Sequence, residues 1–153
     1  MNTLNLKQKL LSTNLFIDND QLSQYLAIVT NSYSANGYTE LHQILPWSFY
    51  KHNKLPIDDS VANTVMLSYA DHCKAHWLLY YCTIGYLKSA NANAVLRILN
   101  RYNYIAKKCC NTISELDDSI LQTLQAYMDN IVQDPDSAYY SEEAILFLKE
   151  HYT

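Results

Sequence analysis

Tyr38-Thr39-Glu40-Leu41-His42-Gln43-Ile44-Leu45-Pro46 and, further on, Asn63-Thr64-Val65-Met66-Leu67-Ser68-Tyr69-Ala70-Asp71-His72-Cys73-Lys74-Ala75-His76 decide how this chain folds. The first stretch reads as a strand over about 38–45, fed by the turn-rich Ser32 to Gly37 and closed by Pro46, which cannot continue a ladder. The second reads as a strand over about 63–67 that runs into a helix over about 68–87. Asp71 falls in that helix's first turn, where the helix dipole favours a carboxylate. On a helix, residues four apart project from one face, so His72 and His76 can grip one ion. A short hairpin packed on the helix brings the strand-end His42 towards them. Three imidazoles with one position left open form the donor set of a catalytic zinc-type site.

Working outward, the chain reads as helices around this one hairpin. A helix over about 21–31, capped by Asp20 or its neighbour, places Leu22, Tyr25, Leu26 and Val29 on one face. Further helices are expected at about 91–105, 113–131 and 141–151, with Asp134-Pro135-Asp136 as a break. Residues 47–62 form a loop long enough to suggest a functional role. The expected fold class is mainly α with a small ββα hairpin, in one domain over 1–153.

Composition agrees with that reading. Two glycines and three prolines in 153 residues leave few turns for an all-β fold, and 49% hydrophobic content supplies a core. The longest apolar run, about 76–87, is broken by Thr83, Gly85 and several tyrosines and is shorter than the roughly 18–20 residues of a membrane span. No secretory signal is read at the N-terminus, where Gln8, Ser12, Thr13 and Asn14 interrupt any apolar stretch. Cys73, Cys82, Cys109 and Cys110 lack metal-type spacing and point to reduced thiols and a cytoplasmic location. Residues 1–110 hold ten basic against six acidic residues, whereas 111–153 hold one basic against nine acidic. That acidic segment is expected to be helical and to face away from any nucleic acid, as solvated surface or as a contact for a basic protein partner.

The order Glu-Leu-His-X-Ile-Leu-Pro, then Asn, then His-X-X-X-His, over about residues 38–79, resembles the HNH or ββα-metal endonuclease family. The most similar patterns are phage-type homing proteins, whose motif reads Glu-X-His-His-Ile-Ile-Pro, then Asn-Leu-Val-X-Leu-Thr, then Glu-His-X-X-Ala-His. Val65, Leu67, Asp71, Ala75 and Leu78 stand at or near matching places. The resemblance implies an HNH-like core over 38–87 in which His42, His72 and His76 bind a divalent metal. It gives Asn63 one of two roles, steadying the catalytic loop or coordinating a magnesium-like ion. Three imidazoles suit zinc, with nickel or manganese as alternatives, better than magnesium.

Gln43 departs from the family at the position of the histidine that deprotonates water. Hydrolysis of a phosphodiester needs a proton acceptor there, and a carboxamide cannot take a proton near neutral pH. Trp47 departs too, since many relatives carry a basic residue just after the proline. His52 is a candidate replacement base if its loop folds back over the metal. Lys51, Lys54, Lys74, Lys88, Arg97, Arg101, Lys107 and Lys108 are candidates for a phosphate-tracking face, and otherwise serve solubility. Trp77, Tyr80, Tyr81 and Tyr86 read as core rather than as a base-stacking platform. The expectation is an HNH-derived metal-binding protein with weak or lost nuclease activity, of a bacterial or phage-infected cell, binding or inhibiting another macromolecule. The alternative is an active, metal-dependent endonuclease acting on double-stranded DNA.

Overall fold

Asn2 and Asn19 start the first two helices in the same way, each accepting a backbone N–H with its side-chain oxygen, which satisfies one of the donors a helix start leaves free. In the computed structural model, which describes residues 2–31, 38–108 and 118–134, these helices are α1 (Thr3–Leu11) and α2 (Asp20–Thr30). Strand β1 (Thr39–Gln43) and strand β2 (Thr64–Ser68) pair antiparallel, with His42 opposite Val65 and Thr39 opposite Ser68. Between them lie a short helix, α3 (Trp47–His52), and a 3-10 turn, Val61–Asn63. Four helices follow: α4 (Tyr69–Cys82), α5 (Gly85–Asn100), α6 (Tyr102–Lys108) and α7 (Asp118–Gln133). The architecture is mainly helical with one two-stranded hairpin, as the sequence implies.

α4 is the central element. One face packs with α1, α2 and the hairpin loop around Leu22, Tyr25, Leu45, Leu67, Leu78 and Leu79. The other packs with α5, α6 and α7 around Cys73, Tyr80, Val95, Leu99, Leu124 and Met128. A helix covered on two sides has no single apolar stripe, and no residue of α4 is fully exposed although it carries Asp71, His72, Lys74 and His76. Replacing the fully buried Leu79 by Ala costs about 2–5 kcal/mol of stability by the cavity it leaves. Among the described residues no helix is long and apolar enough to cross a membrane.

Several boundaries differ from the sequence expectation. The helix expected over 68–87 stops at Cys82, because residues 15–17 pair with its end. Phe16 bridges Thr83, Ile17 N–H donates to the Cys82 carbonyl at 2.7 Å, and Ile84 N–H donates to the Leu15 carbonyl at 3.0 Å. Gly85, at φ +62°, then turns the chain into α5 through a conformation that side chains resist. The helix expected over 91–105 thus begins earlier, at Gly85, and is two helices, α5 and α6, parted at Arg101. The long loop is not structureless, since it holds α3. α1 went unread, because Lys7, Gln8 and Lys9 dilute its apolar pattern and only Leu6 and Leu10 are buried in it. The expected helix over 141–151, most of the acidic residues of 111–153, and Cys109 and Cys110 lie outside the described residues.

Candidate metal centre

Strand geometry and helix geometry together assemble the site. Successive strand side chains alternate faces, so Glu40 and His42 share the face of β1 turned to α4, while Leu41 points away and is exposed. β2 passes into α4 without a linker, and Ser68 caps the helix by accepting the Asp71 N–H at 3.1 Å. The register of β1 on β2 thereby fixes α4 against β1, and His72 and His76 meet His42. Ring centroids stand 4.9 Å apart for His42–His76, 5.1 Å for His72–His76 and 5.4 Å for His42–His72. One potential ligand atom from each lies within 4.8 Å of the others, close enough to bind one metal ion.

The outer nitrogens of the three rings fit the metal better than the distances alone require. His72 Nδ1 lies 2.8 Å from Glu40 Oε1. Burial pushes the Glu40 carboxyl up, but hydrogen bonds from His72, Arg101 and Tyr38 outweigh it and hold the group at about 2, so it is a carboxylate that only accepts. His72 Nδ1 is therefore the donor, and its Nε2 lone pair is free for an ion. His76 Nδ1 lies 2.9 Å from Asn91 Oδ1, and Asn91 Nδ2 donates to the Leu87 carbonyl at 2.9 Å, which fixes the amide orientation. His76 thus also donates from Nδ1 and keeps Nε2 free. Tyr25, its hydroxyl pKa raised by burial, donates to the Ile44 carbonyl at 2.6 Å and must accept from His42 Nε2 at 2.7 Å. His42 is left with a free Nδ1. Hydrogen-bonded outer nitrogens of this kind orient metal-binding imidazoles and raise their basicity.

Burial also holds His42 and His76 in the neutral form that metals require. His42 is pushed well below the usual histidine value by burial and by the neighbouring His76 and His72. His76 falls to about 3, chiefly through burial and secondarily through His72, against a smaller opposing effect of the Asn91 hydrogen bond. The second layer is braced in turn. Arg101 grips Glu40 with two bonds of 2.7 and 3.1 Å, and Tyr38 adds a third at 2.6 Å.

The other residues singled out in the sequence fall in different places. Asn63 is fully buried and stands apart from the histidines. Its Oδ1 accepts the Leu45 N–H at 2.9 Å, and its Nδ2 donates to the Leu45 and Asp58 carbonyls at 3.2 and 2.9 Å. These bonds tie the strand end at Leu45 to the inter-strand loop at Asp58. Gln43 reaches the open groove beside the histidines, and its Nε2 donates to Asp59 Oδ1 at 2.5 Å. His52 does not fold back over the site. It stacks on Tyr86, with ring centroids 3.7 Å apart, and does not line the groove. Lys88 leaves the candidate phosphate face, because it is buried with its Nζ bonded to the Tyr80 carbonyl and 3.9 Å from the Tyr80 ring. Arg101 leaves it too, being committed to Glu40. Trp77 stacks on Tyr127 and Tyr80 is fully buried, so these aromatics are core.

Sequence reasoning gave Glu40, Asn91, Tyr25 and Arg101 no role beside the histidines. Glu40 was reachable, since two residues before His42 on a strand means the same face. The other three come from α2, α5 and the α5–α6 junction, and no local spacing ties them to the histidines. The groove itself encloses about 900 Å³ between the end of β1, the start of α3 and one face of α5. Comparison with protein-family models, curated proteins and solved structures finds no match to this chain.

Proposed function

We propose that this protein is an HNH-derived metal-binding protein in which one divalent transition metal, zinc first among them, is held by His42 Nδ1, His72 Nε2 and His76 Nε2, and in which nuclease activity is weak or lost. The observation that carries the metal is the hydrogen-bond pattern on the outer nitrogens. Glu40, Asn91 and Tyr25 each accept from one ring, so three lone pairs are free in the same small volume. A metal there supplies electrostatic stabilisation of phosphate oxygens. What the chain must add is a proton acceptor for water.

Gln43 cannot be that acceptor, and its amide is held by Asp59. His52, the other candidate, is stacked on Tyr86. A missing positioned base costs about 10²–10⁴-fold in rate, which supports binding over rapid cleavage. The open groove beside the histidines favours the second reading, a slow metal-dependent DNA endonuclease, because it leaves the centre accessible to a phosphodiester. A protein partner for the acidic 111–153 segment belongs to the first reading. Plasmid nicking by the zinc- or manganese-loaded protein tests the choice: no nicking above a metal-free control supports the binding protein, and multiple turnovers support the enzyme.

A further inference from the structure

The groove has a charge character unlike that of the chain. With a net charge of −4 overall, the protein nevertheless lines this groove with two arginines, three histidines and amides, and with no carboxylate. The carboxylates that touch its lining are already committed, Glu40 to His72 and Arg101, and Asp59 to Gln43. Arg101 is neutralised by Glu40. Arg97 is not: it is exposed, and among the described residues no carboxylate lies within ion-pair distance of it. Its charge is felt at the metal centre, since it adds to the forces that keep His76 unprotonated.

The helical repeat aligns the groove face of α5. Ala90, Asn93, Ala94, Arg97 and Asn100 recur at three- and four-residue intervals, which form one stripe. The two alanines add little side-chain bulk to the groove, while Asn93 and Arg97 line it with side chains that carry N–H donors. Guanidinium is the side chain best matched to two oxygens of one phosphate, through two parallel hydrogen bonds. An exposed arginine with no carboxylate partner among the described residues is free to pair an arriving anion.

We propose that Arg97, assisted by Asn93, is an oxyanion clamp that makes the groove a binding site for a nucleic-acid phosphodiester held next to the histidine centre. This rests on the metal-site reading for the position of the phosphate, but not for Arg97's own contribution. The clamp lies on α5, outside the hairpin-helix unit that holds the three histidines. It therefore allows nucleic-acid binding to persist where the proton acceptor has been lost.

Binding of a fluorescein-labelled duplex oligonucleotide to the full-length protein, zinc-loaded and metal-free, provides the test, with inorganic phosphate as competitor. The expected result is that Arg97→Ala weakens duplex binding about tenfold or more, as for loss of a charged hydrogen bond. Arg97→Lys should be intermediate, phosphate should compete, and zinc content should be the same in both variants as in the wild type. Lys7→Ala, which removes a charge on α1 outside the groove, should stay within about twofold of wild type if the effect is local rather than a change of net charge. A wild type that does not bind duplex, or an Arg97→Ala no weaker than Lys7→Ala, overturns the clamp. If no zinc binds but duplex binding still depends on Arg97, the metal reading fails and the clamp stands.

Discussion

The two sides of the histidine cluster are built to different standards. On the outer side, each imidazole donates a hydrogen bond to a different element: Tyr25 on α2, Glu40 on β1 and Asn91 on α5. Those partners are themselves anchored, to Ile44, Arg101 and Leu87. On the groove side, the residue after His42 is a carboxamide tied to the loop residue Asp59. Holding an ion and moving a proton are separable tasks: three histidines stand close enough to bind one ion, whereas Gln43 is held by Asp59 and His52 stacks on Tyr86.

The largest expected effect attacks the outer side. His72→Ala and His76→Ala each remove one of three ligands from a site that offers no described substitute, so stoichiometric zinc binding should disappear in both. Titration with a chromogenic zinc chelator reads this directly, and retained one-to-one binding in either variant would break the contrast at once. Next, Gln43→His should raise metal-dependent plasmid nicking by about 10²-fold or more if only the base is missing. An inert Gln43→His with metal bound would mean that Trp47, exposed at the groove with Lys51 over its ring at 4.3 Å, blocks productive phosphate binding.

A smaller effect probes the second layer. Glu40→Gln and Asn91→Ala leave the ligands in place but loosen their orientation, and should weaken zinc about 10–100-fold. Chelator competition measures it, and an unchanged affinity would reduce those contacts to ordinary fold stabilisation. The smallest effect is on stability. Both His42 and His76 have folded-state values below the unfolded 6.5, so the unfolded chain binds protons that the folded chain refuses. Stability of the metal-free protein is thus full above about pH 6.5 and falls as pH drops towards about 3. Glu40, lowered from 4.5 to about 2, acts in the same direction at the lower end. Thermal melts from about pH 7 to about pH 4 should show a steady decline, and a flat profile over the upper half would contradict the buried, neutral state of the two histidines.

How far the sequence could be read follows from the range of the interactions involved. The hairpin and α4 were legible because alternation, a closing proline and an i, i+4 histidine pair are local signals. Asn63 was legible as important, but only the structure separates loop-holding from ion binding, since that depends on which carbonyls its amide meets. The break at Cys82–Gly85 was not legible, because the pairing that causes it comes from Leu15–Ile17, far away in the chain. The same distance hid Tyr25, Asn91 and Arg101, whose roles exist only once α2 and α5 are packed on α4. The displacement of His52 from the site likewise follows from α3, which carries it on to Tyr86.

Three imidazoles, each fixed from behind, stand close enough to bind one ion. X-ray absorption on the wild-type protein after zinc loading tests it most directly, with metal content measured on the same sample. The expected result is one zinc per chain, three nitrogen neighbours at about 2.0–2.1 Å, and at least one further light-atom ligand. A folded protein that takes up no zinc, nickel or manganese, or a zinc bound through sulfur, would contradict it.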